Sequence, residues 1–501
     1  MSKDALRLSG VAFAYQNSLE PLFENLDLHL DPGWTGVVGA NGVGKSTLLR
    51  LACGQLTPVT GSISRPALTV YCPQRTDDPP DALDSLMKAP DREARLIRAR
   101  LGLAQDWPAK WPSLSHGERK RLQIGASLYQ GPDLLALDEP TNHLDAQARE
   151  VLLNALAGFR GVGLLVSPDR ELLDRLCKAT VFIDPPQAVL RPGGYTQAKR
   201  EAQREKKEKE RQWQKAAEEV SRLERTWKAR RREAARAGAR RSKGKLGRKD
   251  SDGRARIDAA RVSGQDGARG RLQRQISGRV KQARRHLDDT GFNKEHPAGV
   301  EVTGEMCRGD RLILLPASCI ALGPGRCLSH PELLVRPGDK IVLMGPNGSG
   351  KSTLIKALLA RADMPPGRLL SLPQEISAGR SRSILHQARK LQGDDLGWVM
   401  NMVSRLGSRP QRLLTSRMPS PGETRKLLLA LGLRWRPWLI VLDEPTNHLD
   451  LQSIERLEAA LSQTLAALVL VSHDQRFLEA LTNTNWVISP AEEKYALRIE
   501  L

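Results

Sequence analysis

The sequence predicts an α/β protein: two copies of one phosphate-loop domain, each with a parallel-sheet core and a helical subdomain, joined by a long basic helical hairpin. Three observations carry this prediction. DEPTNHLD occurs at 138–145 and again, unchanged, at 443–450. GANGVGKST at 39–47 returns as GPNGSGKST at 345–353. Between the copies, residues 191–290 hold 32 Lys/Arg against 14 Asp/Glu, a net +18 of the +21 carried by all 501 residues. Repeats are weighed first because a missed one misassigns the whole fold.

The duplication runs through further motifs. Gln74 of YCPQ returns as Gln374 of SLPQ, LSHGE at 114–118 as PSPGE at 419–423, and VSPD at 166–169 as VSHD at 471–474. Five motifs in one order at nearly one offset place the repeated domains at 1–190 and 300–501, with 191–299 as the connecting arm. The composition, 40% hydrophobic and 27% charged, fits a globular chain. No apolar run approaches the ~18 residues of a spanning helix, which excludes an integral membrane protein. The start, MSKDALRLSG, lacks a basic segment followed by an apolar one, so a cytoplasmic location is expected. The six cysteines include no C-x-x-C pair. This argues against a zinc or iron–sulfur site and for reduced thiols.

Each motif has a chemical reading. The two G-x-x-x-x-G-K-S segments follow short apolar strands and lead into apolar helices, as a phosphate loop requires. Gly39, Asn41, Gly42, Gly44 and Thr47, and Gly345, Asn347, Gly348, Gly350 and Thr353, let backbone N–H groups wrap phosphates at a helix N-terminus. Lys45 and Lys351 neutralise the β- and γ-phosphates, and Ser46 and Ser352 ligate Mg²⁺. LLALDEP and LIVLDEP are buried-strand patterns ending in paired carboxylates. Asp138 and Asp443 suit Mg²⁺ binding; Glu139 and Glu444 suit polarising an attacking water. Gln74 and Gln374 are placed to reach the metal or that water. Ser115 and Ser420 each stand three residues before a glutamate, a capping box that starts a helix. With Gly117 and Gly422 the same segments also read as γ-phosphate sensors.

The arm is read from periodicity. Trp213, Ala216, Val220, Leu223 and Trp227 alternate spacings of three and four, as do Ile276, Val280, Ala283 and Leu287. Two antiparallel helices are expected over roughly 195–240 and 255–290, with a turn-rich tip at 242–253. The glycine-rich stretch 263–270 argues against regular helix at the start of the return. Residues 225–249 carry twelve basic residues and one acidic one, so the positive charge lies towards the tip.

At this point the residues resemble the ATP-binding cassette superfamily over about 1–190 and 300–501. The tandem DEPTNHLD loops, the charged helical connector and the missing membrane domain look like its ABC-F branch. That resemblance implies ATP as the nucleotide, ATP hydrolysis, and two cassettes meeting head to tail within one monomer. Each ATP would then touch the phosphate loop of one cassette and the signature serine of the other. It also implies a ribosome partner, with the connector against tRNA and rRNA, in translation or antibiotic resistance. The switch histidine of the family is matched by His473 but replaced by Pro168 in the first copy. The adenine-stacking aromatic is matched by Tyr15, whereas LPASCIALGPG at 315–325 has none. Site one therefore combines Lys45, Asp138, Glu139 and Pro168 with Ser420; site two combines Lys351, Asp443, Glu444 and His473 with Ser115. Site two is expected to hydrolyse faster. A transporter ATPase subunit has no use for a +18 connector; a DNA-acting cassette ATPase is permitted by charge, since phosphate attraction does not distinguish DNA from RNA.

Overall fold

The computed structural model describes residues 5–16, 21–142, 144–240, 265–290, 305–323, 326–408, 410–416, 418–491 and 494–500. In the first repeat, β1 (Leu6–Phe13) and β2 (Phe23–Leu30) alternate buried and exposed residues, the pattern of a sheet with one covered face. β3 (Gly33–Val38) is buried along nearly its whole length and enters the main sheet. β4 (Thr60–Ser64) completes the small antiparallel sheet, of order β2-β1-β4. β5 (Thr69–Cys72), β6 (Leu134–Asp138), β7 (Val162–Val166), β8 (Cys177–Asp184) and β9 (Gln187–Pro192) join β3 in the order β5-β6-β7-β3-β8-β9. All pairings there are parallel except β8 with β9. Every residue of β6 and β7 is buried, as expected for parallel strands covered on both faces.

The second repeat opens with short strands: β10 (Ile313–Leu315), β11 (Ser318–Gly323), β12 (Arg326–His330) and β13 (Leu333–Val335). β14 (Lys340–Met344), β15 (Leu369–Leu372), β16 (Leu439–Asp443), β17 (Ala467–Val471), β18 (Thr484–Ala491) and β19 (Lys494–Glu500) reproduce the first sheet as β15-β16-β17-β14-β18-β19. Here the β11–β12 hairpin adds to the same sheet, because β12 pairs with β19. Eight strands result, where the first repeat keeps its antiparallel strands in a separate sheet.

Each repeat carries a helical subdomain packed on its sheet. Leu86, Leu101 and Leu122 share one core with Leu135 and Leu137 of β6; Ile384, Val399 and Leu427 share another with Ile440 and Leu442 of β16. Leu451 of the second repeat lies in the core of the first. Residues 1–198 and 298–501 make one compact unit and 199–297 another.

The arm begins with one helix, Tyr195–Arg240. Its 46 residues reach about 69 Å at ~1.5 Å each. A second helix spans Gln265–Asp289. Ala216 and Val220 are buried, and Trp213, Leu223, Trp227, Ile276, Val280, Ala283 and Leu287 are half-buried, so the expected seam is the shielded one. Arg284 Nε donates to Glu224 Oε1 across the hairpin at 3.0 Å. Residues 265–270 are helical despite Gly267 and Gly270, contrary to the expectation from composition. A glycine costs a helix only ~1 kcal/mol, which continuity with the seam downstream can offset. The expected tip at 242–253 and the expected helix start at 255–264 lie outside the described residues. No helix among the described residues is long and apolar enough to cross a membrane.

Candidate active sites

β3 and β14 each end in a glycine-rich loop that turns into a helix, Lys45–Ala52 or Lys351–Leu359. Gly44 and Gly350 precede those helices with φ of 99° and 94°. A Cβ on Gly44 would stand 2.7 Å from Leu22 Cδ2, and one on Gly350 2.6 Å from Leu322 Cδ2. Conformation and space both demand glycine at these two positions. Lys45 Nζ donates to the carbonyls of Gly39 and Ala40, both at 3.0 Å; Lys351 Nζ donates to those of Gly345 at 2.7 Å and Pro346 at 3.0 Å. Each ammonium is thus folded over its own loop, and burial lowers its pKa.

Glu139 and Glu444 follow the strands that end in Asp138 and Asp443. Both adopt left-handed backbone, φ 48° and 51°, which is costly for a non-glycine residue and aims the side chain out of the strand line. Their N–H groups donate to Val166 O and Val471 O, each at 2.8 Å. The carboxylates then differ. Glu139 Oε2 accepts from Gln74 Nε2 at 2.6 Å and Asn142 Nδ2 at 2.5 Å. Glu444 Oε1 is buried with no hydrogen-bond partner among the described residues, and His473 Nε2 lies 3.4 Å away. Burial pushes the Glu444 carboxyl up to about 7. Burial, helped by Lys351 and Arg149, pushes the His473 imidazole down to about 4, so it is neutral at neutral pH. Asp443 Oδ2 accepts from Ser352 Oγ at 2.7 Å, while Asp138 Oδ2 accepts from Tyr71 OH at 3.0 Å. Ser46 opens the first loop's helix at the equivalent place.

The surroundings differ as well. Asn347, Gly348, Lys351, Ser352, Thr353, Gln374, Asp443, Glu444 and His473 line a cavity of about 340 Å³, with Leu144 and Arg149 of the first repeat on its far wall. Leu322, rather than an aromatic, lines it near Gly350. At the first loop, Gly39, Asn41, Lys45, Glu139, Pro168 and Asp450 enclose only about 10 Å³. There Asn41 N donates to Asp450 Oδ2 and Asn41 Nδ2 to His448 O, both at 3.0 Å. Gly422 stands beside them: a Cβ on it would fall 2.5 Å from His448 O and 3.6 Å from Asn41 Nδ2. The second signature therefore abuts the first phosphate loop. Tyr15 is half exposed beside that loop, its hydroxyl 2.8 Å from Thr47 Oγ1.

Ser115 and Ser420 close capping boxes: each accepts from its glutamate N–H at 3.3 Å, and Glu118 and Glu423 return to the serine N–H at 2.8 and 2.9 Å. Ser420 opens its helix with Pro421 at the first position, where a missing N–H is tolerated. Ser115 and Gly117 are not among the residues that line the 340 Å³ cavity.

Buried cations escaped the motif reading, Arg425 and Lys120 among them. Arg425 Nη1 donates to Glu444 O at 2.8 Å, and Nη2 bonds Gln374 O. Lys120, its repeat counterpart, donates to Pro73 O at 2.5 Å and to Gln123 Oε1 at 3.0 Å. A charged residue on the buried face of a helix was the available signal.

Comparisons with known proteins agree with this architecture. A family model described as ABC transporter matches residues 23–142 and 328–447. The chain is 30% identical to the tylosin resistance ATP-binding protein TlrC of Streptomyces fradiae, over 96% of each protein. The chain belongs to the ABC-F branch of the ATP-binding cassette family. This ABC-F protein is also 27% identical to the ribosome protection protein VmlR of Bacillus subtilis, over 97% of this chain and 87% of that one. Its fold resembles that of the archaeal ribosome recycling factor aABCE1, solved with a ribosomal stalk protein. The TM-score is 0.61 at 18% identity, covering 97% of this chain and 89% of that one, a likeness of fold alone. The ABC-F chain is an ATP-hydrolysing enzyme built from two cassettes.

Proposed function

We propose that this ABC-F chain is an ATP-gated ribosome-binding ATPase whose basic arm contacts tRNA and rRNA in translation or in protection against an antibiotic. The observation that carries the reading is the arm: a net +18 concentrated in 191–290, part of it on long helices with a shielded apolar seam. Such a helix offers guanidinium and ammonium groups to a phosphate backbone. The relatives named for ribosome protection and for tylosin resistance support the choice of partner.

In this reading the second phosphate loop takes the phosphates of ATP through its N–H groups and Lys351. Glu444 accepts a hydrogen bond from the attacking water and orients it, and His473, 3.4 Å from that carboxylate, donates to the γ-phosphate. Ser352, Asp443 and Gln374 would hold Mg²⁺; they are hard oxygen donors on one wall, and the hydroxyl and carboxylate already meet. Bound there, the ion would neutralise charge on the β- and γ-oxygens. Ser46, Asp138 and Gln74 form the matching set at site one. Site one, with Glu139 hydrogen-bonded to two amides and Pro168 in place of histidine, mainly retains nucleotide beneath Ser420 and Gly422.

The test is co-sedimentation of the Glu139→Gln/Glu444→Gln protein with ribosomes, in ATP and in ADP, beside duplex DNA and membranes. Pelleting with ribosomes in ATP alone is expected. Replacing Arg230, Arg231 and Arg232 by Glu should weaken that binding and lower the slope of log K against log salt by about 2, leaving ribosome-free ATPase activity unchanged. Capture by DNA or membranes instead of ribosomes would overturn the partner but leave the ATPase.

A further inference from the structure

Arg149 lies four residues past the end of the first DEPTNHLD, on the helix Ala146–Leu156. It is a first-cassette residue, yet it reaches site two. Its Nη1 donates to the main-chain carbonyl of His473 at 2.7 Å. The same nitrogen stands 3.5 Å from Asp169 Oδ2, and the side chain is only 22% exposed. Asp169 is itself fixed, since it accepts from Glu171 N and Leu172 N at the start of the next helix, both at 3.0 Å. A rigid carboxylate thus steadies the guanidinium that grips the loop carrying His473. Arg149 Nε is buried with no hydrogen-bond partner among the described residues, so the group retains a donor. It lines the 340 Å³ cavity together with Lys351, Glu444 and His473.

The repeat supplies a natural comparison. The position related to Arg149 is Ile454, which is 1% exposed. The position related to His473 is Pro168. Ile454 and Pro168 line one small void of about 20 Å³ between the cassettes, which Arg149 and Asp169 also line. One interface therefore pairs arginine with histidine, and the other pairs isoleucine with proline. The two substitutions that separate the sites sit opposite each other.

We propose that Arg149 is a positioning residue supplied in trans, which holds His473 in register with the second phosphate loop and makes hydrolysis at site two depend on engagement of the first cassette. The Ile454–Pro168 pair leaves site one without that device. The inference rests on the reading of site two as a composite site. Arg149 acts through the His473 main chain, so it alters the reacting geometry more than the affinity for nucleotide.

The experiment compares Arg149→Ile, the residue of the other repeat, with Arg149→Lys in the full chain. Arg149→Ile should lower kcat for ATP about 10- to 100-fold, the scale of a misplaced catalytic group, with KM changed less than about 2-fold. Arg149→Lys should recover a third or more of the rate, because it keeps one donor for the carbonyl. A second readout avoids turnover: ATP retained through gel filtration by the Glu444→Gln protein should stay at its full level when Arg149→Ile is added, because a positioning residue leaves affinity intact. Unchanged kcat, or a fall in retention that matches the fall in rate, overturns the role of Arg149 alone. Equal loss with Ile and with Lys overturns positioning through the carbonyl. Failure of Glu444→Gln itself to retain ATP overturns both the composite site and the inference built on it.

Discussion

Glu139 and Glu444 sit in the same left-handed turn at the ends of equivalent strands, with the same N–H bond to the neighbouring strand. Their carboxylates have opposite circumstances. Glu139 accepts two amide N–H bonds beside a phosphate loop whose Asn41 is held by Asp450 and His448. Glu444 keeps one oxygen unpartnered, facing an open cavity with a neutral histidine at its edge. A duplicated scaffold can therefore preserve backbone geometry and still divide labour. The division is made by side chains within hydrogen-bond reach of one carboxylate.

The strongest way to break this comparison is at the glutamates. Glu444→Gln should reduce steady-state ATP turnover about 100-fold or more, the contribution of a positioned general base, while Glu139→Gln should cost less than about 3-fold. Equal losses would remove the asymmetry. A smaller effect is expected from Tyr15→Ala. Loss of base stacking, worth roughly 1–3 kcal/mol, should weaken nucleotide retention at site one by about 10-fold or more and leave turnover at site two nearly intact. The smallest effect belongs to the caps. Ser115→Ala and Ser420→Ala should each cost about 1 kcal/mol in denaturant unfolding, but only Ser420→Ala should reduce retention at site one, because Gly422 on that helix already abuts Asn41.

Much of the architecture was legible because the chain states it twice. The two phosphate loops, the LLALD and LIVLD strands and both capping boxes depend on contacts within a few residues, and these the pattern records directly. The seam from Trp213 to Trp227 was legible for the same reason. The hydrogen bond of Asn142 to Glu139 was not, since an amide three residues from a carboxylate is common and gives no hint of orientation. Tyr71 on Asp138 was hidden by the serine at its repeat position, Ser371. Arg149 escaped because its partner is 324 residues away and is a main-chain carbonyl, which leaves no mark in a sequence. The β11–β12 hairpin joins the main sheet through a short pairing with β19, and short strands carry little periodic signal.

Leu451 has a consequence for how the protein is made. It is 5% exposed and completes the core of the first cassette, while its repeat counterpart, Ala146, is exposed. The dependence runs one way: the first half borrows a side chain from the second. During synthesis at roughly 5–20 residues per second, the first half emerges well before residue 451 exists and waits tens of seconds for the last piece of its interior. A nascent chain stalled before that point carries an unfilled apolar recess, and a protein split between its halves would leave that recess in one product and a bare leucine on the other.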